Sequence, residues 1–167
     1  MLSSTAEYAL RATLYIARED GGKLVQVDRV AETLGVPRNY LSKILHALAK
    51  EGILDSTRGP QGGFRLALPA DEVPLARIIE PFDPLTPRRW CVLGRSVCSD
   101  ASPCPAHDRW KGISDSLHFF FRTTTVDDLL KEPGSLTDPP TPDGHAPAEP
   151  AAGAPSRSRR KRGVEDG

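Results

Sequence analysis

The sequence predicts a mainly α-helical fold with one small β-hairpin, and three observations predict it. Apolar residues recur at helical spacing through most of the first fifty positions. A Gly/Pro-rich loop, Thr57–Gly63, separates two short segments of strand character. An amphipathic stretch from Pro105 to Arg122 is long enough to make the last major helix.

Each element follows from its residues. Ala6, Ala9, Leu10, Leu14 and Ala17 place the first helix over Ser4–Glu19, and Gly21-Gly22 ends it. Asp28 is expected to cap a short second helix with Val30, Ala31 and Leu34 inward, closed by Gly35. Pro37 opens the third helix, where its missing N–H costs nothing. Leu41, Ile44, Leu45 and Leu48 form that helix's buried stripe, and Gly52 ends it. Two helices joined by a short glycine-bearing turn read as a helix-turn-helix. Strands are expected at Ile53–Ser56 and Phe64–Leu68, the second with Phe64, Leu66 and Leu68 on one face. The hairpin they form is the wing. A fourth helix is expected over Asp71–Glu80, stopped by Pro81. Beyond the long helix, Thr125 and Asp128 have the spacing of a capping box for a last turn through Val126, Leu129 and Leu130.

The chain divides accordingly into a winged helix-turn-helix at 1–80, a cysteine-bearing loop at 81–104, the long helix and last turn at 105–131, and a tail at 132–167. Seven prolines and five glycines in that tail leave too little apolar surface to offset the entropy of ordering it. Its basic run, Arg157, Arg159, Arg160, Lys161 and Arg162, reads as a solvated segment, or as one adding non-specific attraction to DNA.

The formal net charge is zero and gives no global argument for nucleic acid. Locally, Arg38, Lys43, Lys50, Arg58 and Arg65 face only Glu51 and Asp55 across residues 38–65, the basic stripe that phosphate contact needs. With the buried stripe of the third helix removed, Arg38, Asn39, Tyr40, Ser42, Lys43, His46 and Lys50 remain outward. Arg38 is suited to guanine and Asn39 to adenine in a major groove. Tyr40, Ser42 and Lys43 suit phosphate or methyl contacts, and His46 a surface or phosphate contact. Arg58 and Arg65 on the wing are placed for backbone or minor groove. The alternative is a solvated basic face. Enzyme chemistry has little support. No Gly-Lys-Ser/Thr follows the glycine loop, and no nucleophile-elbow serine is evident.

All three cysteines, Cys91, Cys98 and Cys104, lie within one stretch, with His107 just behind. Thiolate and imidazole are ligands of zinc and of iron–sulfur clusters. An odd count in so short a run argues against a disulfide framework, no signal peptide is read at the N-terminus, and no apolar run approaches the roughly 18 residues of a membrane span. A cytoplasmic location is expected.

Three groups of residues carry a family resemblance. They are Glu7-Tyr8-Ala9-Leu10-Arg11; Val36-Pro37 with Tyr40-Leu41 and Lys43-Ile44-Leu45; and Arg58-Gly59 with Gly62-Gly63-Phe64 and Leu66. Together with Cys91, Cys98, Cys104, His107, Asp108 and Trp110, they make residues 1–130 resemble the Rrf-type family of bacterial winged-helix regulators, which includes IscR-like and NsrR-like iron–sulfur sensors. The resemblance implies a homodimer paired through the long C-terminal helix, binding an imperfect palindrome in double-stranded DNA and usually repressing transcription. Independently, Trp110, Ile113, Leu117, Phe120 and Phe121 step by three and four residues, as the seam of a helix pair does. A dimer would set two recognition helices about 34 Å apart, one duplex turn. The alternative is that this stripe packs only within its own chain.

For the cofactor, the resemblance implies an iron–sulfur cluster on Cys91, Cys98 and Cys104, [2Fe–2S] ahead of [4Fe–4S], answering to cluster status, redox or nitric oxide. The fourth ligand would be His107, as in IscR-like members, or Glu7 of the partner subunit, as in NsrR-like ones. A helix starting at Pro105 would put Cys104 and His107 on one face at its positive end, which favours His107. Zinc, or no metal with a thiol-redox response, are the alternatives. The intervals of six and five residues between the cysteines are wider than the roughly two to four of most zinc sites.

Overall fold

The computed structural model describes residues 2–19, 21, 23–59, 61–85, 91–95, 99–134 and 136. The expected cluster ligand Cys98 and nearly all of the tail lie outside them. In chain order the elements are α1 (Ser4–Glu19), α2 (Val27–Leu34), α3 (Arg38–Lys50), β1 (Leu54–Thr57), β2 (Gly63–Leu66), a 3-10 turn (Ala70–Glu72), α4 (Leu75–Ile79), α5 (His107–Thr123) and α6 (Val126–Lys131). This is the mainly α fold with a hairpin wing that the periodicity predicts. Among the described residues no helix is long and apolar enough to cross a membrane.

The stripe of α3 is the centre of the core. Leu41, Ile44, Leu45 and Leu48 are buried with Ile16 of α1, Val30 and Leu34 of α2, Ile53, Leu54, Val73, Ile78 and Val126. Each buried leucine contributes about 2 kcal/mol relative to an exposed one. A smaller cluster joins Ala6 of α1, Leu75, Ala76 and Ile79 of α4, Leu85 and Phe121 of α5. Between α2 and α3, Gly35 adopts φ +65°, and Val36 N–H bonds Ala31 O at 3.0 Å, so the turn needs a left-handed residue there.

The wing is an antiparallel pair with Leu54 opposite Leu66 and Ser56 opposite Phe64. Each strand lies within two residues of its expected bounds. A third segment joins it through an isolated bridge, Val25 N–H to Phe64 O at 2.8 Å and Phe64 N–H to Val25 O at 2.9 Å. A Cβ on Gly63 would fall 2.5 Å from Val25 O, so the approach requires glycine.

Three local expectations are corrected. Asp28 does not cap α2: Gln26 is the N-cap, and Asp28 sits in the first turn. The helix expected over Asp71–Glu80 breaks at Val73-Pro74, because proline lacks an N–H and pushes the preceding residue to extended backbone. The released groups pair with the α5–α6 junction, Val126 N–H to Val73 O and Leu75 N–H to Thr124 O, both 2.9 Å. Helix α5 begins at His107 rather than Pro105, since His107 N–H closes a tight turn onto Cys104 O at 2.9 Å. The Thr125/Asp128 capping box forms as expected.

Candidate nucleic-acid interface and cysteine loop

Residues from α2, α3 and the wing surround one open groove of about 400 Å³. Asp28, Arg38, Ser42 and His46 form one wall, and Thr57, Arg58 and Phe64 belong to the other. Arg38 is the first residue of α3, and its Nε donates to Asp28 Oδ1. Asn39 and Lys43 are exposed beside it. His46 sets its ring edge against Phe64 of β2, centroids 5.3 Å apart, so the third helix and the wing meet through an aromatic contact. Arg58 is exposed near the wing tip. Arg65 donates to Asp55 Oδ2 from Nε (3.2 Å) and Nη2 (3.1 Å), pairing across the hairpin.

Tyr40 departs from the expected outward set. Its hydroxyl lies 2.6 Å from Thr5 Oγ1, and its ring packs edge-on against Tyr8, so α1 holds it. Asp28 and Gln26, which sequence reasoning did not place here, line the groove. The ten-residue separation of Asp28 and Arg38 carries no local signal of their pairing.

In the cysteine loop, Gly94 N–H bonds Cys91 O at 2.8 Å, and Gly94 takes φ +70°. The resulting turn lowers the Cys91 thiol pKa. Backbone N–H groups of Arg95 and Leu93 contribute most, partial burial opposes them, and the Cys104 side chain and the Arg95 charge assist. Cys91 and Cys104 are both half-buried and unbridged. A thiol whose ionised form is favoured by N–H donors is suited to bind a metal or to react with oxidants.

His107 is buried, and its Nε2 lies 2.8 Å from Asp100 Oδ1, which also accepts from Lys111 Nζ at 2.9 Å. Lys111 first, then His107, hold the Asp100 carboxyl down at about 2. Ligation through Nε2 would require breaking this contact. Glu7 is exposed on the first turn of α1, and the Arg11 guanidinium reaches Leu136 O at 3.2 Å rather than Glu7. Among the described residues, no three Cys, His, Asp or Glu side chains converge to hold a metal ion.

The apolar stripe of α5 is largely uncovered. Ile113 is 59% and Phe120 45% exposed, Phe119 is 69% exposed beside them, and only Phe121 of the expected stripe is buried. Trp110, Ile113, Leu117 and Phe120 line an apolar hollow of about 830 Å³ that Cys91 and Val92 complete.

Known proteins share this architecture. A model of the Rrf2 family, described as iron-dependent transcriptional regulators, matches residues 2–132. A protein of Aquifex aeolicus, provisionally named an HTH-type transcriptional regulator, is 36% identical over 132 residues, covering 78% of this chain and 91% of that protein. The HTH-type transcriptional regulator IscR of Vibrio atlanticus is 29% identical, covering 78% and 75% respectively. The solved structure of CymR, the global cysteine regulator of B. subtilis, superposes with a TM-score of 0.64 at 23% identity, covering 78% of this chain and 95% of that one.

Proposed function

The chain belongs to the Rrf2 family of transcriptional regulators and is not an enzyme; from that premise we propose a cytoplasmic homodimeric repressor that grips an imperfectly palindromic duplex according to the state of an iron–sulfur cluster. Each subunit would read one half-site through Arg38, Asn39, Ser42, Lys43 and His46 of α3, with Arg58 and Arg65 of the wing against the backbone. Pairing through α5 is supported by the uncovered Ile113 and Phe120, which with Trp110 and Leu117 line one exposed apolar hollow of the kind that marks an interaction surface.

The observation that carries the sensing half is the turn at Cys91, where the N–H groups of Arg95 and Leu93 lower the thiol pKa and Gly94 N–H bonds Cys91 O at 2.8 Å. Cys91, Cys98 and Cys104 would hold the cluster, a [2Fe–2S] group ahead of [4Fe–4S], with His107 or Glu7 of the partner subunit completing the set. When bound, the group would supply sensitivity to oxidation, nitric oxide and iron supply. The protein's own part is to favour the thiolate of Cys91 through backbone N–H groups, and to join the loop to α5 through Asp100, His107 and Lys111. A coupling of about 1–3 kcal/mol between the loop and the DNA-bound form suffices for a usable switch.

The same lowering of the Cys91 thiol pKa favours a second reading, a metal-free regulator whose thiols respond to oxidants directly. Anaerobic purification followed by an absorption spectrum and iron, sulfide and zinc assays decides between them. Visible absorbance lost on Cys→Ala substitution at each position, with operator affinity differing between apo and reconstituted protein, supports the cluster. Colourless, metal-free protein whose affinity changes with thiol oxidation supports the second reading.

A further inference from the structure

Arg38 lines the DNA-facing groove and Arg65 follows the groove residue Phe64 on the wing, and each is paired with an aspartate in a different way. Arg65 spends both Nε and Nη2 on Asp55, which leaves a single terminal nitrogen facing away. Arg38 is bonded to Asp28 through Nε alone. Its two terminal nitrogens therefore remain as a fork, the edge that meets O6 and N7 of guanine bidentately. Arg38 opens α3, and both partners keep more than half of their side-chain surface exposed, so the pair sits at the solvent edge of the groove.

We propose that Asp28 is a specificity-determining residue: its carboxylate fixes the Arg38 guanidinium so that the fork faces a guanine edge, and keeps that cation from settling on phosphate. This rests on the reading of α3 as the DNA-contacting helix. Two consequences of charge follow. A carboxylate in the first turn of α2 cancels the attraction that this helix start would otherwise exert on a phosphate. The neutralised pair also contributes little to counterion release, so non-specific affinity falls to exposed Lys43, Lys50 and Arg58. Asp28 thereby trades general affinity for selectivity.

The test is selection from a random-sequence duplex library, with salt titration on one fixed duplex of unrelated sequence. Wild type, Asp28→Asn, Asp28→Glu, Arg38→Ala and Asp55→Asn are compared at full length. Wild type and Asp55→Asn are expected to select a guanine at one position in each half-site. Asp28→Asn and Arg38→Ala lose that preference, by roughly tenfold or more. Asp28→Asn also binds the unrelated duplex more tightly, with a salt slope steeper by up to about 0.9. Asp28→Glu keeps the charge but displaces the carboxylate, so it loses the guanine preference and retains the wild-type slope. An unchanged guanine preference in Asp28→Asn or in Arg38→Ala overturns the inference while leaving DNA binding intact. Failure of the wild type to bind any duplex overturns the DNA-binding reading, and the inference with it.

Discussion

The Tyr40 hydroxyl lies 2.6 Å from Thr5 Oγ1, which ties the third helix to the first by a single side-chain bond. Tyr40→Phe removes the bond and keeps the ring against Tyr8. Unfolding free energy in urea should fall by about 1 kcal/mol. Affinity for duplex DNA should change less than twofold, whereas a phosphate-contacting tyrosine would show a larger loss and a shallower salt slope.

Gly63→Ala tests the bridge beneath the wing. The added methyl meets Val25 O at 2.5 Å, a backbone atom that yields only if the bridge opens. Destabilisation of about 1–3 kcal/mol is expected. Hydrogen exchange should rise at the Val25 and Phe64 amides before it rises in α3.

Ile113→Asp and Phe120→Asp address the uncovered face of α5. Both positions are exposed within the chain, so helix content by circular dichroism should be unchanged. Sedimentation should shift from dimer to monomer. A wild-type protein that is already monomeric at working concentration would remove the pairing proposed above.

A pH response is built into the start of α6. The Thr125 backbone N–H, then its hydroxyl, hold the Asp128 carboxyl below its ordinary value of 3.8, despite partial desolvation. Its folded-state pKa is depressed, so its stabilisation is fully present above 3.8 and is lost as the pH falls through the lower folded value. Asp128→Asn should flatten the acid limb of the stability profile in that window, and Thr125→Ala should cost about 1 kcal/mol above it.

Much of this architecture is legible in the residues alone. The period of α1 and α3, the Gly/Pro loop of the wing and the Thr125/Asp128 spacing are local signals, and local hydrogen bonding or one-sided burial is what they report. A helical projection shows Tyr40 on the polar side of α3, but not that α1 lies against part of that side. The apolar spacing over Asp71–Glu80 reads as one helix, yet the partners that the backbone groups beside Pro74 take lie about fifty residues further on, at Thr124 and Val126. The sequence stripe of α5 shows amphipathicity without saying what covers it; the fold leaves Ile113 and Phe120 bare and turns His107, Ser114 and Phe121 inward. In the cysteine loop, spacing gathers the thiols, but the turn that aims backbone N–H groups at Cys91 includes a left-handed Gly94.

Phe64 is held by Val25 on the backbone side and touches His46 through its ring. One residue thus locks strand, helix and the segment leading into the second helix at a common point. The reading head is braced there from both sides, so in the proposed dimer a signal from the cysteine loop would act through the separation between two such heads.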